Sequence, residues 1–171
     1  KDGKATRYFG AGGAITFQKR GDFAGPKLLA ILAGLTAIAS LAVLIGLAFR
    51  SRRDFRQTPV QARASLMQTT QAVLWLITFA ALAVWAGGTG DPANVLYNWP
   101  GLTLVLASAC ALVAAVLTVI TLVLLPVIWR GGRRVDSWTV ARKARFTLTV
   151  LIFAAFSADL AYWGALTPWS G

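Results

Sequence analysis

The residues able to do chemistry in this 171-residue chain are few, and their types narrow that chemistry sharply. There is no His and no Glu, a single Cys (Cys110), a single Met (Met67) and six Asp. This set excludes His-ligated haem, His-containing zinc sites, a Ser-His-Asp triad and a disulfide within the chain. Ser40, Ser51, Ser65, Ser108, Ser137, Ser157 and Ser170 all lack a Lys three positions later, so no Ser-x-x-Lys nucleophile is present, and neither Tyr-x-Asn nor Lys-Thr-Gly occurs. Gly10-Ala11-Gly12-Gly13 is not followed by a helical pattern and does not read as a phosphate loop. No catalytic, cofactor-binding or metal-ligating residue is assigned, and this chain alone is expected not to be an enzyme.

Two polar residues stand inside otherwise apolar stretches. Asp159 is the one acid within such a stretch, and an intramembrane carboxylate is a functional candidate by default. It precedes Trp163 by four residues, close to the end of its stretch, which favours a wet or hydrogen-bonded surface acid. No second carboxylate or His accompanies it to form a relay. Gln71, with Gln68, can bond across helices, where such bonds average about 0.6 kcal/mol. Trp75 lies mid-stretch and reads as a packing or lipid-facing indole. Cys110, also mid-stretch, reads as a buried small hydrophobe.

The elements that must carry these residues follow from composition. Apolar residues make up 57% of the chain and charged residues 13%, about half the roughly 25% of a soluble domain, with a mean hydropathy of +0.63. Such a chain belongs in a bilayer. Apolar runs at about 28–49, 66–86, 102–129 and 146–164 are each long enough to cross a hydrocarbon core about 30 Å thick as a helix. Lipid offers no partner for backbone N–H and C=O groups, which makes helices of all four. The third run reaches roughly 42 Å and must tilt, kink near Pro126 or place its last turn among headgroups. The expected fold is an all-α membrane protein, a four-transmembrane-helix bundle over residues 28–171, preceded by a short β-hairpin-like juxtamembrane segment over residues 1–27.

Charge fixes the expected orientation. Arg50, Arg52, Arg53, Arg56 and Arg63 join the first two spans, against Asp54. Arg130, Arg133, Arg134, Arg142, Lys143 and Arg145 join the last two, against Asp136. The middle connection holds only Asp91. Short basic loops mark the cytoplasmic side, which sends both termini outward. The net charge of +11 and pI of 11.2 are therefore topological, with anionic phospholipid headgroups as partners of the loops. Nucleic acid is not an expected partner, because these arginines lie in short loops beside spans with only Phe55 and Trp138 available for stacking.

Residues 1–27 carry six cations that alone would argue for a cytoplasmic N-terminus, an argument that weakens if a large translocated domain precedes them. Aromatic and β-branched residues around the glycine cluster suggest a hairpin over Ala5 to Lys19, read as the end of an upstream extracytoplasmic domain. With Lys at position 1 and no leader pattern, the chain reads as a piece of something larger. Aromatic residues fall where interfaces belong, with Trp85, Tyr97, Trp99, Trp163 and Trp169 outside and Phe49, Trp129 and Trp138 inside. Small residues recur at helical spacing, Ala30, Gly34, Ala42 and Gly46 on the first span and Ala107, Ala111 and Ala115 on the third, as in rows that let helix backbones approach.

Three segments go beyond a generic four-span protein: Trp129-Arg130-Gly131-Gly132-Arg133-Arg134, then Ser137-Trp138-Thr139-Val140-Ala141-Arg142-Lys143-Ala144-Arg145-Phe146-Thr147-Leu148, and Tyr162-Trp163-Gly164-Ala165-Leu166. Together they resemble the C-terminal membrane region of bacterial serine hydrolases of the penicillin-binding-protein-like family related to class C β-lactamases. The resemblance implies an extracytoplasmic catalytic domain upstream in the same polypeptide, at the outer face of the bacterial cytoplasmic (inner) membrane, with this chain as its multi-pass anchor. The family's nucleophilic Ser and its Lys and Tyr partners have no counterparts here. An autonomous four-span protein, acting as partner subunit or assembly scaffold, is the alternative.

Overall fold

The computed structural model describes residues 7–9, 16–18, 25–49, 57–90, 97, 100–130 and 137–167. Four helices carry the fold: α1 (Pro26–Ala48), α2 (Pro59–Gly88), α3 (Leu102–Arg130) and α4 (Val140–Tyr162). All four are long and apolar enough to cross a membrane, and the chain is a multi-pass membrane protein in that sense. They pack as a closed ring in which each helix contacts the next in sequence and α4 returns to α1. The α2–α3 pair is the most extensive contact, and α1 has the smallest buried share of the four spans.

Before α1, strands β1 (Arg7–Phe9) and β2 (Thr16–Gln18) pair antiparallel, with Arg7 opposite Gln18 and Phe9 opposite Thr16. A two-stranded ribbon this short is marginal by itself. The architecture is all-α, and the β-hairpin-like segment expected over residues 1–27 is not supported as part of it: among the described residues only this three-residue ladder stands there, with no core of its own.

Helix boundaries follow local chemistry that hydropathy alone misses. α2 begins at Pro59, seven residues before the apolar run expected at 66. Thr58 starts it with a capping box, its hydroxyl accepting from the Gln61 backbone N–H while Gln61 Oε1 accepts from the Thr58 N–H, both at 3.3 Å. Proline at the first helical position has no N–H to leave unpaired there. α4 begins at Val140 rather than near 146, capped by the Thr139 hydroxyl, which accepts from the Arg142 N–H. It ends at Tyr162, where Gly164 at φ +68° lets the Ala165 N–H return to the Leu160 carbonyl and the Gly164 N–H to that of Ala161. α3 runs unbroken through Pro126 to Arg130.

Two apolar clusters fill the ring. At mid-depth Trp75 is 0% exposed, its ring centre 5.0 Å from that of Phe156 and 6.3 Å from that of Phe153, with Ala39, Ala72, Ala111 and Ala114 closing around them. Near the end where α2 and α4 begin, Ala64, Ile128, Trp138, Phe146 and Val150 form the second. The outer faces present Ile38, Val84, Val123 and Leu148, as lipid-facing helices do. Hydroxyls inside the spans bond back along their own helices, Ser40 to the Thr36 carbonyl and Ser157 to that of Phe153.

The small-residue rows diverge. Ala107 and Ala111 on α3 are buried, and the Thr78 hydroxyl of α2 reaches the Ala107 carbonyl at 3.3 Å, a close approach of the kind small residues permit. On α1, by contrast, Ala30, Gly34, Ala42 and Gly46 are exposed, and a Cβ added at Gly34 or Gly46 would meet nothing within 4 Å. Among the described residues, that row does not mediate close packing.

Candidate functional site

The residues that α2 and α4 position at their first turns meet at one end of the bundle. Gln61, fully enclosed, is the hub. Its Oε1 accepts from the Trp138 N–H at 3.1 Å as well as from Thr58, and its Nε2 donates to the Ser137 hydroxyl at 3.0 Å. The approach to α4 is thereby tied to the start of α2. Trp138, only 5% exposed, stacks against Phe146 with ring centres 5.3 Å apart and donates through Nε1 to Gln57 Oε1 at 3.1 Å. Arg142 lies over the Trp138 ring and donates to the same Gln57 oxygen at 3.3 Å. Gln68 donates to the Phe146 carbonyl and the Trp129 indole N–H to the Thr147 hydroxyl, adding α2–α4 and α3–α4 ties at this end.

Beside this latch, α1 stands away from α2 and α4 and leaves a groove of about 560 Å³. Its α1 wall is apolar, running from Leu35 to Phe49 through Ala39, Ala42 and Gly46. Its other wall carries Ser65, Gln68 and Thr69 from α2 and Arg142, Arg145 and Thr149 from α4.

The topology-determining cations are distributed unevenly. Arg50, Arg52, Arg53, Arg56, Arg133 and Arg134 lie outside the described residues. Arg130 is exposed at the end of α3 and Arg145 is exposed beside the groove. Arg142 is half-buried in the latch rather than free in a loop. Lys143 is only 3% exposed, because it falls one turn before Phe146 on the inward face that continues through Val150 and Phe153. Trp138, expected in an interfacial belt, is at the expected end but inside the bundle, whereas Phe49 is 84% exposed there.

The two intramembrane polar residues are both interior. Gln71 donates through Nε2 to the Thr121 hydroxyl of α3 at 3.2 Å, as a cross-helix bond, while its Oε1 and the Trp75 Nε1 one turn on have no partner among the described residues. Asp159 is not a surface acid. It is 9% exposed, three residues after Phe156 on the inward face of α4, with Oδ2 buried and unpartnered among the described residues. Cys110 is half-buried. Among the described residues no group of His, Cys, Asp or Glu is arranged to hold a metal ion.

Sequence reading missed Gln57 and Gln61, although the Thr-Pro-x-Gln opening of α2 is a cap signature that pointed to the second. Compared with protein families, curated proteins and solved structures, the chain matches none of them.

Proposed function

We propose that this bundle is the membrane-anchoring domain of an exported serine hydrolase related to class C β-lactamases, holding an upstream catalytic domain at the outer face of the bacterial cytoplasmic membrane. The observation that carries the reading is the placement of the basic connections. α1 ends, α2 begins, α3 ends and α4 begins at one end of the ring; in sequence the arginine-rich segments 50–56 and 131–139 join these ends, and Arg130, Arg142, Lys143 and Arg145 stand on the adjoining turns of α3 and α4. By the positive-inside rule that end faces the cytoplasm, and Pro26 and Tyr162 face outward. Anionic headgroups meet the arginines there. A domain joined before α1 then lies outside, with the β1–β2 ribbon as its last strands. The latch suits an anchor, since hydrogen bonds at Gln57 and Gln61 and a stacked guanidinium tie the starts of α2 and α4 together.

Two measurements on the full polypeptide that contains this segment test the proposal. In a Cys110→Ser background, Gly3→Cys, Gly90→Cys and Gly132→Cys are probed in spheroplasts with a membrane-impermeant thiol reagent. Labelling at positions 3 and 90 and protection at 132 is expected, and labelling at 132 alone rejects the orientation. A fluorescent penicillin or fluorophosphonate should then label the same membrane polypeptide at a serine outside residues 1–171. A correctly oriented polypeptide with no reactive serine rejects the hydrolase and leaves an autonomous membrane protein.

A further inference from the structure

Inside the ring, a run of side-chain hydrogen bonds crosses from α2 to α3 in one direction. The Thr121 hydroxyl donates to the Thr118 carbonyl at 2.9 Å, so toward Gln71 it can only accept. That settles the orientation of the Gln71 amide: Nε2 faces Thr121, to which it donates at 3.2 Å, and Oε1 is the acceptor left over. Gln71 is fully enclosed, and this oxygen has no partner among the described residues. One turn further along the same face stands Trp75, equally enclosed, whose Nε1 has no partner among the described residues either. Side chains on a helix lean toward its N-terminus, which brings the indole over the turn that carries Gln71. An indole N–H can only donate and an amide oxygen can only accept. The two atoms are complementary, yet they do not bond to each other. Buried polar groups are satisfied by protein or by ordered water, and the lipid around the spans supplies neither donor nor acceptor.

We infer that one water molecule is bound in the core of the bundle, accepting from the Trp75 indole N–H and donating to Gln71 Oε1. The ligand has to be small, because Gln71 and Trp75 are both shut off from the surface, and it has to donate and accept at once. It also has to be uncharged, because the cluster around Trp75 is made of alanine and phenylalanine and holds no counter-charge. Water meets all three conditions. The bridge extends the chain from the Trp75 ring through Gln71 and Thr121 to Thr118, and in such a chain each bond polarises the next. The site goes beyond anchoring, and it depends neither on which way the bundle faces nor on any domain attached to it.

Solid-state NMR of the full polypeptide in lipid bilayers, with the indole nitrogen of every Trp isotope-labelled, tests the inference. The Trp75 signal is the one missing from Trp75→Phe, and the Trp138 indole, bonded to Gln57, is the reference for a hydrogen-bonded N–H and for an intact bundle. Two readings are taken on Trp75: the position of its N–H proton, which moves downfield on hydrogen bonding, and the transfer of polarisation to it from water. A downfield proton with transfer from water is expected. Gln71→Leu should abolish that transfer and move the proton upfield while leaving the Trp138 signal in place. A downfield proton without transfer would mean a direct bond between Trp75 and Gln71, and an upfield proton would mean an indole with no acceptor. Either result in the wild type overturns the bound water, whether or not the Leu variant folds. Transfer that survives in a folded Gln71→Leu would overturn Gln71 as the acceptor.

Discussion

The guanidinium carbon of Arg142 lies 4.6 Å from the centre of the Trp138 ring, and both side chains donate to one acceptor, Gln57 Oε1, at 3.3 and 3.1 Å. Stacking of this kind pre-sets the planar guanidinium and holds it against the ring. The pair also separates two contributions to stability. Trp138→Phe keeps a ring under the guanidinium and against Phe146 but removes the bond to Gln57, and should cost about 1 kcal/mol. Trp138→Ala empties a buried site and should cost about 3 kcal/mol or more. Unfolding in mixed micelles titrated with a denaturing detergent reads both, and equal costs would mean that the ring packing contributes nothing.

Gln61 makes a second graded test. Gln61→Leu leaves the Trp138 N–H and the Ser137 hydroxyl without their partner in an enclosed place, at about 2 kcal/mol. Gln61→Glu keeps an acceptor for the Thr58 and Trp138 N–H groups and can accept from the Ser137 hydroxyl. The same titration should place Glu between wild type and Leu.

Trp75 should behave differently from Trp138, because its indole nitrogen has no hydrogen-bond partner among the described residues. Trp75→Phe is expected to stay within about 1 kcal/mol of wild type, while Trp75→Ala costs about 3–5 kcal/mol through the cavity left among Phe153, Phe156 and Phe79. A large cost for the Phe variant would reveal a partner for Nε1.

Two glycines should respond with opposite signs. Gly34→Ala adds a methyl group to open space within a helix and should stabilise by about 0.5–1 kcal/mol. Gly164→Ala forces a Cβ into the left-handed turn that ends α4 and should destabilise by about 1 kcal/mol. Thermal denaturation in one detergent checks the pair, and destabilisation by Gly34→Ala would indicate a close helix partner at that row.

The four spans were legible because a backbone in lipid must be helical, and runs such as 28–49 have no competing pattern. The start of α2 was not, since Gln61, Arg63 and Gln68 lower its hydropathy while Thr58 and Pro59 cap it firmly. The cross-helix bond of Gln71 was readable from its place among apolar residues, but its partner Thr121 was not, because register between helices is set by packing. The inward burial of Asp159 was hidden by its nearness to Trp163, although its spacing from Phe153 and Phe156 placed it on the packed face. The small row of α1 looked the same in sequence as that of α3. Which row meets a neighbour depends on how the whole ring closes.

α1 buries only Thr36, Ala39 and Ser40, and it contributes no residue to the cluster at the latch. Mechanically, the joints at that end tie three legs, α2 to α4, while the fourth closes the ring by packing alone. A pull entering through Pro26 reaches first the leg that has no residue in the joints around Gln61 and Trp138.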